Sequence, residues 1–364
     1  MHFMLVAITL ASGDAAAAFA APPVAFPDGH YFTLPASSGF ASPVRPQKAK
    51  RSKLDDHGGD CRSRIRPLMC LVDQPASVEA RQCVTGGESY APPFEELYDH
   101  LPGVLQNIFC ALDVIYVETD FQGTAYAGSV GTRTVLGVKK SVLDGSLDLQ
   151  HWASWKEQLS FGGGSGSFDV RADLPVVETQ SSGQANDFLY FLIAHEFGHI
   201  LDFHYRLNRV KPGCPEPVDG QPDPECLMEE DSWGGIGWLT NQRPKPENDF
   251  ISRSGLCFYW CGDKPLSPSM VPSVYESLFE HSDFISIYAT TEPWDDFADS
   301  LAYFLVHESL HASYRINTRQ GAVYDVMEKL ESPLFAKKRA YIEKFLQEAE
   351  GRPLPPLPKP LQLN

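Results

Sequence analysis

The stretch LYFLIAHEFGHILDFHY, Leu189 to Tyr205, sets two histidines four residues apart in an otherwise apolar run, with a glutamate directly after the first. Residues four apart on an α-helix share a face, so His195 and His199 can reach one ion. Two neutral imidazoles suit Zn²⁺, which in a catalytic site takes three protein ligands and one water. Glu196 stands beside the first ligand, placed to take a proton from metal-bound water and pass it to a leaving amine. Without a metal, the same residues would be core histidines bonded to backbone. The chain holds 11 histidines in 364 residues, too few to favour coincidence; a chance H-E-x-x-H is expected at only about a few per cent.

Two ligands do not make a site. The frame H-E-x-x-H-x-x-G-x-x-H needs glycine at 202 and histidine at 205, where this chain has Asp202 and Tyr205. His204 is one residue out of phase with the shared face. The acidic segment YATTEPWDDFADSLAYF, Tyr288 to Phe304, is the better source. Asp295 and Asp299 are four apart and so lie on one helical face. Glu292 and Asp296 are reserve ligands, Asp296 lying off that face. The metal-free reading is a solvated acidic face at a helix N-terminus, which the helix dipole favours.

Together, HEFGHILDFHY, Tyr288 and DDFADSLAYF resemble the gluzincin metallopeptidases, among them the catalytic domain of anthrax lethal factor. The matched stretches cover about thirty residues of the 364. Gluzincins carry E-x-x-x-D on their second helix, with the first carboxylate on zinc and the second orienting a ligand histidine. The lethal-factor type adds a tyrosine seven residues before the ligand carboxylate, and Tyr288 stands seven before Asp295. The resemblance therefore implies one Zn²⁺ per chain on His195, His199 and Asp295. It implies Glu196 as general base, Tyr288 as hydroxyl donor to the oxyanion, Asp299 behind His195, and Asp202 as a further supporting residue. The aspartate arm is one methylene shorter than glutamate, so the second helix must sit slightly closer. The implied fold is a zincin-like α+β domain. In it a small twisted sheet lies over the His195 helix, and an edge strand aligns the substrate as an added strand. The implied activity is that of a zinc metalloendopeptidase on protein or peptide substrates. A metal-dependent amidase acting on cell-wall cross-links, or a binding protein with a structural metal, is the alternative.

These residues need elements to hold them. The His195 helix should open at Ser182 or Gly183 and run to about Tyr205. The acidic helix should run from Pro293 to about Glu308, with Thr291 as cap and Pro293 in the first turn. Phe94 to Leu112 reads as helix broken at Pro102, and Val114 to Glu118 as a strand. Thr132 to Leu143 reads as a strand pair or a strand and turn. FGGGSGS, 161–167, is a mobile loop lacking the residues of a phosphate loop. Residues 206–287 form an insertion with few periodic segments, four cysteines and Trp233, Trp238 and Trp260. Disulfides should brace it, and it is long enough to wall the cleft and set specificity. Val323 to Leu330 and Leu334 to Ala349 read as C-terminal helices. Residues 59–350 form the catalytic domain and 351–364 a Pro-rich extended tail.

The net charge of −17 and pI near 5.0 argue against nucleic acid as a partner. The basic run at Arg45 to Lys53 falls in a Pro/Ser-rich stretch, 22–58, that reads as a linker or removable pro-segment. Residues 1–21 read as a signal peptide, with Ala18-Phe19-Ala20 at an A-x-A site. Their apolar segment is too short to span a membrane. Export to the periplasm or the extracellular space fits eight cysteines, in two groups of four. Pairing within each group is expected, and a metal site at Cys257 and Cys261 is the rival reading.

Overall fold

The computed structural model describes residues 60–73, 81–121, 123–130, 133–163, 168–180, 186–215, 223–258 and 265–356. The signal-peptide and linker segments, most of the glycine-rich loop, Ser182, Gly183, Trp260, Cys261 and residues 357–364 lie outside these.

The architecture is mixed α and β with two small sheets. The first has the order β1-β2-β4-β3, from β1 (Met69–Val72), β2 (Val114–Glu118), β3 (Ala125–Val130) and β4 (Arg133–Lys139). β1, β2 and β4 run parallel, and β3 is an antiparallel edge strand. Parallel neighbours need a crossover. Helices α1 (Ala91–Tyr98) and α2 (Gly103–Ala111) supply the one between β1 and β2. Every residue of β2, VIYVE, is buried. Its alternate side chains enter two different clusters, Ile115 and Val117 the main core, Val114 and Tyr116 a smaller one with Cys70, Val72 and Val135. A strand covered on both faces shows no apolar–polar alternation.

Helix α3 (Leu149–Leu159) lies against the second sheet, β5-β6-β7, formed by β5 (Val176–Gln180), β6 (Ser313–Asn317) and β7 (Val323–Asp325). Ser154 of α3 accepts from the Val177 N–H at 2.8 Å, fixing helix to strand. Helix α4 (Asp187–Tyr205) is capped by the Asn186 side chain on the Leu189 N–H. Most of α4 is buried around its whole circumference, so it is a central helix. β3 packs along it. Further along the chain come the helices α5 (Val271–His281), α6 (Pro293–Leu305), α7 (Val326–Glu331) and α8 (Ala336–Ala349).

Several elements differ from the sequence expectation. α4 opens at Asp187, since asparagine is as good a cap as serine and the 3.6-residue period begins only there. By contrast, the expected strand and turn is present over residues 133–143, as the strand Arg133–Lys139 followed by a short helical turn, Lys140–Leu143. Val323 to Leu330 is split, because Asp325 ends β7 and caps α7 through the Met327 N–H at 2.9 Å. The 206–287 segment contains a regular helix, α5, and buries Trp233 and Trp238 in the main core. Residues 351–356 are irregular as expected, but they dock: the Pro355 carbonyl lies 2.6 Å from His204 Nδ1.

Cys61–Cys110, Cys70–Cys83 and Cys214–Cys226 form disulfides, and Cys257 is disulfide-bonded too. All three described pairs join cysteines of the same sequence group. The bonded Cys257 removes the thiolate that the rival metal reading required. Such bonds fit an oxidising compartment outside the cytosol. Among the described residues, no helix is long and apolar enough to cross a membrane.

Candidate metal centre

Two helices build the site, and their closest approach explains a residue that propensity disfavours. Gly198, in the middle of α4, costs about 1 kcal/mol relative to alanine in a helix. A Cβ there would stand 2.8 Å from Ala298 Cα on α6. Glycine on one helix and alanine on the other therefore let the backbones approach. That distance puts α6 carboxylates within reach of α4 imidazoles, even with the short aspartate arm.

His195 and His199 are buried, with their Nε2 atoms 3.2 Å apart. Asp295 Oδ1 lies 3.6 Å from His199 Nε2. The ligand atoms of all three residues fall within 4.8 Å of one another. Two ligands at zinc-bonding length and tetrahedral angle stand roughly 3.3 Å apart, so this donor set fits a single Zn²⁺. Asp295 Oδ1 is buried and accepts no hydrogen bond, so its lone pairs are available to a cation. The other oxygen accepts from Thr291 Oγ1 at 2.9 Å. Burial and the nearby Glu292 carboxylate raise Asp295 well above the ordinary carboxylate range, the Thr291 bond opposing them. A cation would reverse that shift.

Asp299 sits behind His195, its Oδ1 2.7 Å from Nδ1. That is hydrogen-bond length, although the ring N–H is not aligned on the oxygen. Ser286 Oγ donates to Asp299 Oδ2 at 2.5 Å. Burial works to raise Asp299, but the Lys156 ammonium, His195 and Ser286 outweigh it and hold the carboxyl below its usual value. A hydrogen bond from His195 Nδ1 to this carboxylate would fix the imidazole tautomer and leave Nε2 as the ring atom able to bind a metal.

Glu196 is buried on α4, one residue after His195. Tyr288 begins a short 3₁₀ turn before α6, and its ring centre lies 6.0 Å from that of His195. Phe258 meets the Tyr288 ring edge-on at 4.9 Å. Asp202 faces elsewhere. It accepts from the Asn208 backbone and side chain, both at 2.8 Å, and Asn208 also donates to the Pro293 carbonyl at 3.1 Å. Asp202 thus ties the end of α4 to the start of α6, and burial pushes it up to about 6. Asp296 is no ligand here: Lys338 Nζ holds it at 2.7 Å and the Trp238 indole N–H at 3.1 Å. Thr291 is not the cap of α6, since Glu292 takes that position while the threonine hydroxyl serves Asp295.

Sequence reasoning missed Lys156 and Ser286. Lys156 stands on α3 with its Nζ 3.6 Å from the Tyr288 ring centre. No local pattern marks either residue, because each reaches the site from a different element. No protein-family model, curated protein or solved structure matches the chain.

Proposed function

We propose that this chain is an exported, zinc-dependent peptidase of zincin-like fold. The observation that carries the reading is the convergence of His195, His199 and the unpartnered Asp295 oxygen from two helices, with Glu196 beside them. The resemblance of the same residues to gluzincins supports it. Zinc held there would supply Lewis acidity and lower the pKa of water at the site. In this reading the Glu196 carboxylate takes a proton from the attacking water and delivers it to the leaving nitrogen. Asp299 keeps the proton of His195 on Nδ1. The Tyr288 hydroxyl donates to the substrate carbonyl oxygen as negative charge develops on it. In this reading an extended peptide adds to β3, the antiparallel edge strand along α4.

The test is digestion of an unbiased peptide library by the oxidised protein, before chelation, after it, and after zinc is restored. The reading expects cleavage that disappears and returns. Cleavage that survives complete zinc removal would refute it.

A further inference from the structure

The protein carries 47 acidic and 30 basic residues, so an anionic ligand meets a generally repulsive surface. Lys156 is a local exception. It is half-buried on α3, with its ammonium over the face of Tyr288 at 3.6 Å and 5.1 Å from the Trp152 ring centre. Among the described residues no ion pair within 4.0 Å involves it, whereas the buried Lys338 is held by both Asp283 and Asp296. The aromatic faces hold the ammonium in place without neutralising its charge, as a cation–π contact does. The Tyr288 and His195 ring centres are 6.0 Å apart, so the ammonium lies within about three residues of extended chain from the candidate centre. Its field reaches the site, where it is the strongest influence lowering Asp299.

We propose that Lys156 is a specificity-determining residue whose ammonium receives a carboxylate of the substrate close to the bond that is cut. The substrate class is then a peptide with an acidic residue, or its own C-terminal carboxylate, in that position. The proposal rests on the peptidase reading for its reaction but on Lys156 alone for its charge preference. Filling the subsite with a carboxylate pairs an ammonium that has no ion-pair partner among the described residues, and a neutral amide in its place leaves the ammonium over the rings.

The experiment compares two peptide pairs cut by the zinc-loaded protein. One pair exchanges glutamate for glutamine at each position flanking the cut. The other exchanges a free C-terminus for an amide. The acidic member of at least one pair should be favoured by about tenfold in kcat/KM, the scale of one partly screened ion pair. Which pair responds identifies the source of the carboxylate. The ratio should collapse toward one in Lys156→Met and return in Lys156→Arg. Lys344→Met, at an exposed position of α8, should leave it as in the wild type. Cleavage with no preference in either pair, or a preference that persists in Lys156→Met, would overturn the proposal. If no peptide is cut, the peptidase reading falls, and saturation-transfer NMR with N-acetylglutamate against N-acetylglutamine judges the subsite. Selective binding of the acid by wild type, lost in Lys156→Met, would uphold it. Equal or absent binding would overturn it.

Discussion

Asp299 carries the sharpest consequence at the scale of single residues. It does not reach the candidate ion, yet it holds His195 Nδ1 at 2.7 Å and is itself held by Ser286. Supporting carboxylates of this kind are worth about 10- to 100-fold in metal affinity. Asp299→Asn should therefore weaken zinc binding by that factor in a chelator competition while the fold survives; unchanged affinity would remove Asp299 from the site. The spacing of these residues was legible in the sequence, because one turn of helix links His195 to His199 and Asp295 to Asp299. Nothing in that spacing shows which carboxylate faces which imidazole. The structure assigns Asp295 to His199, Asp299 to His195 and Asp296 to Lys338. Tyr288 is marked only by the family resemblance, and Lys156 and Ser286 have no local signal at all.

Gly198 and Ala298 decide the geometry at the scale of elements. An alanine at 198 would gain about 1 kcal/mol of helix propensity. Its Cβ would meet Ala298 Cα at 2.8 Å, and α6 would have to move outward. Overpacking of this kind costs about 1–3 kcal/mol. Gly198→Ala should therefore be a net loss in denaturant unfolding, and it should weaken zinc binding as well; a gain in stability would show that the helices are not in contact there. The long elements were readable because their periodicity is sustained: α4 ends at Tyr205 as its pattern indicates, and β2 spans Val114–Glu118. Short strands were not. β5 pairs with β6 across more than 130 residues of sequence, Val177 against Ile316, and five residues of each carry too little pattern to announce it. α5 was hidden by the prolines and glycines around it.

Buried acids set the pH response at the scale of the whole molecule. Glu157 on α3 accepts from the Tyr275 hydroxyl, and burial pushes it up to about 7, the hydrogen bond opposing. Its folded pKa is thus above its unfolded one, near 4.3. The folded state binds the proton more tightly, so stability is greatest below the unfolded pKa and falls as pH rises through 7. The loss is up to about 3 kcal/mol between pH 4 and pH 8. Glu157→Gln should be more stable than wild type at pH 8 and gain little at pH 4 in urea unfolding. An equal effect at both pH values would mean that Glu157 does not titrate in the folded protein. Against this loss stand the disulfides. Cys61–Cys110 closes a loop with a sequence separation of 49, worth about 4 kcal/mol in the chain-entropy picture. It anchors the first described residues to α2. The cysteine grouping was readable because these bonds join neighbouring segments, whereas the burial of Trp233 and Trp238 in the main core was not, since it depends on contacts with α6 and α8 far along the chain.

The most direct test of the central claim is Glu196→Gln, assayed for zinc content and for peptide cleavage beside the wild type. Glutamine keeps the size of the side chain but cannot accept a proton from water. The account predicts one zinc per chain in both proteins and cleavage by the wild type alone. Cleavage by both would contradict it, as would zinc in neither.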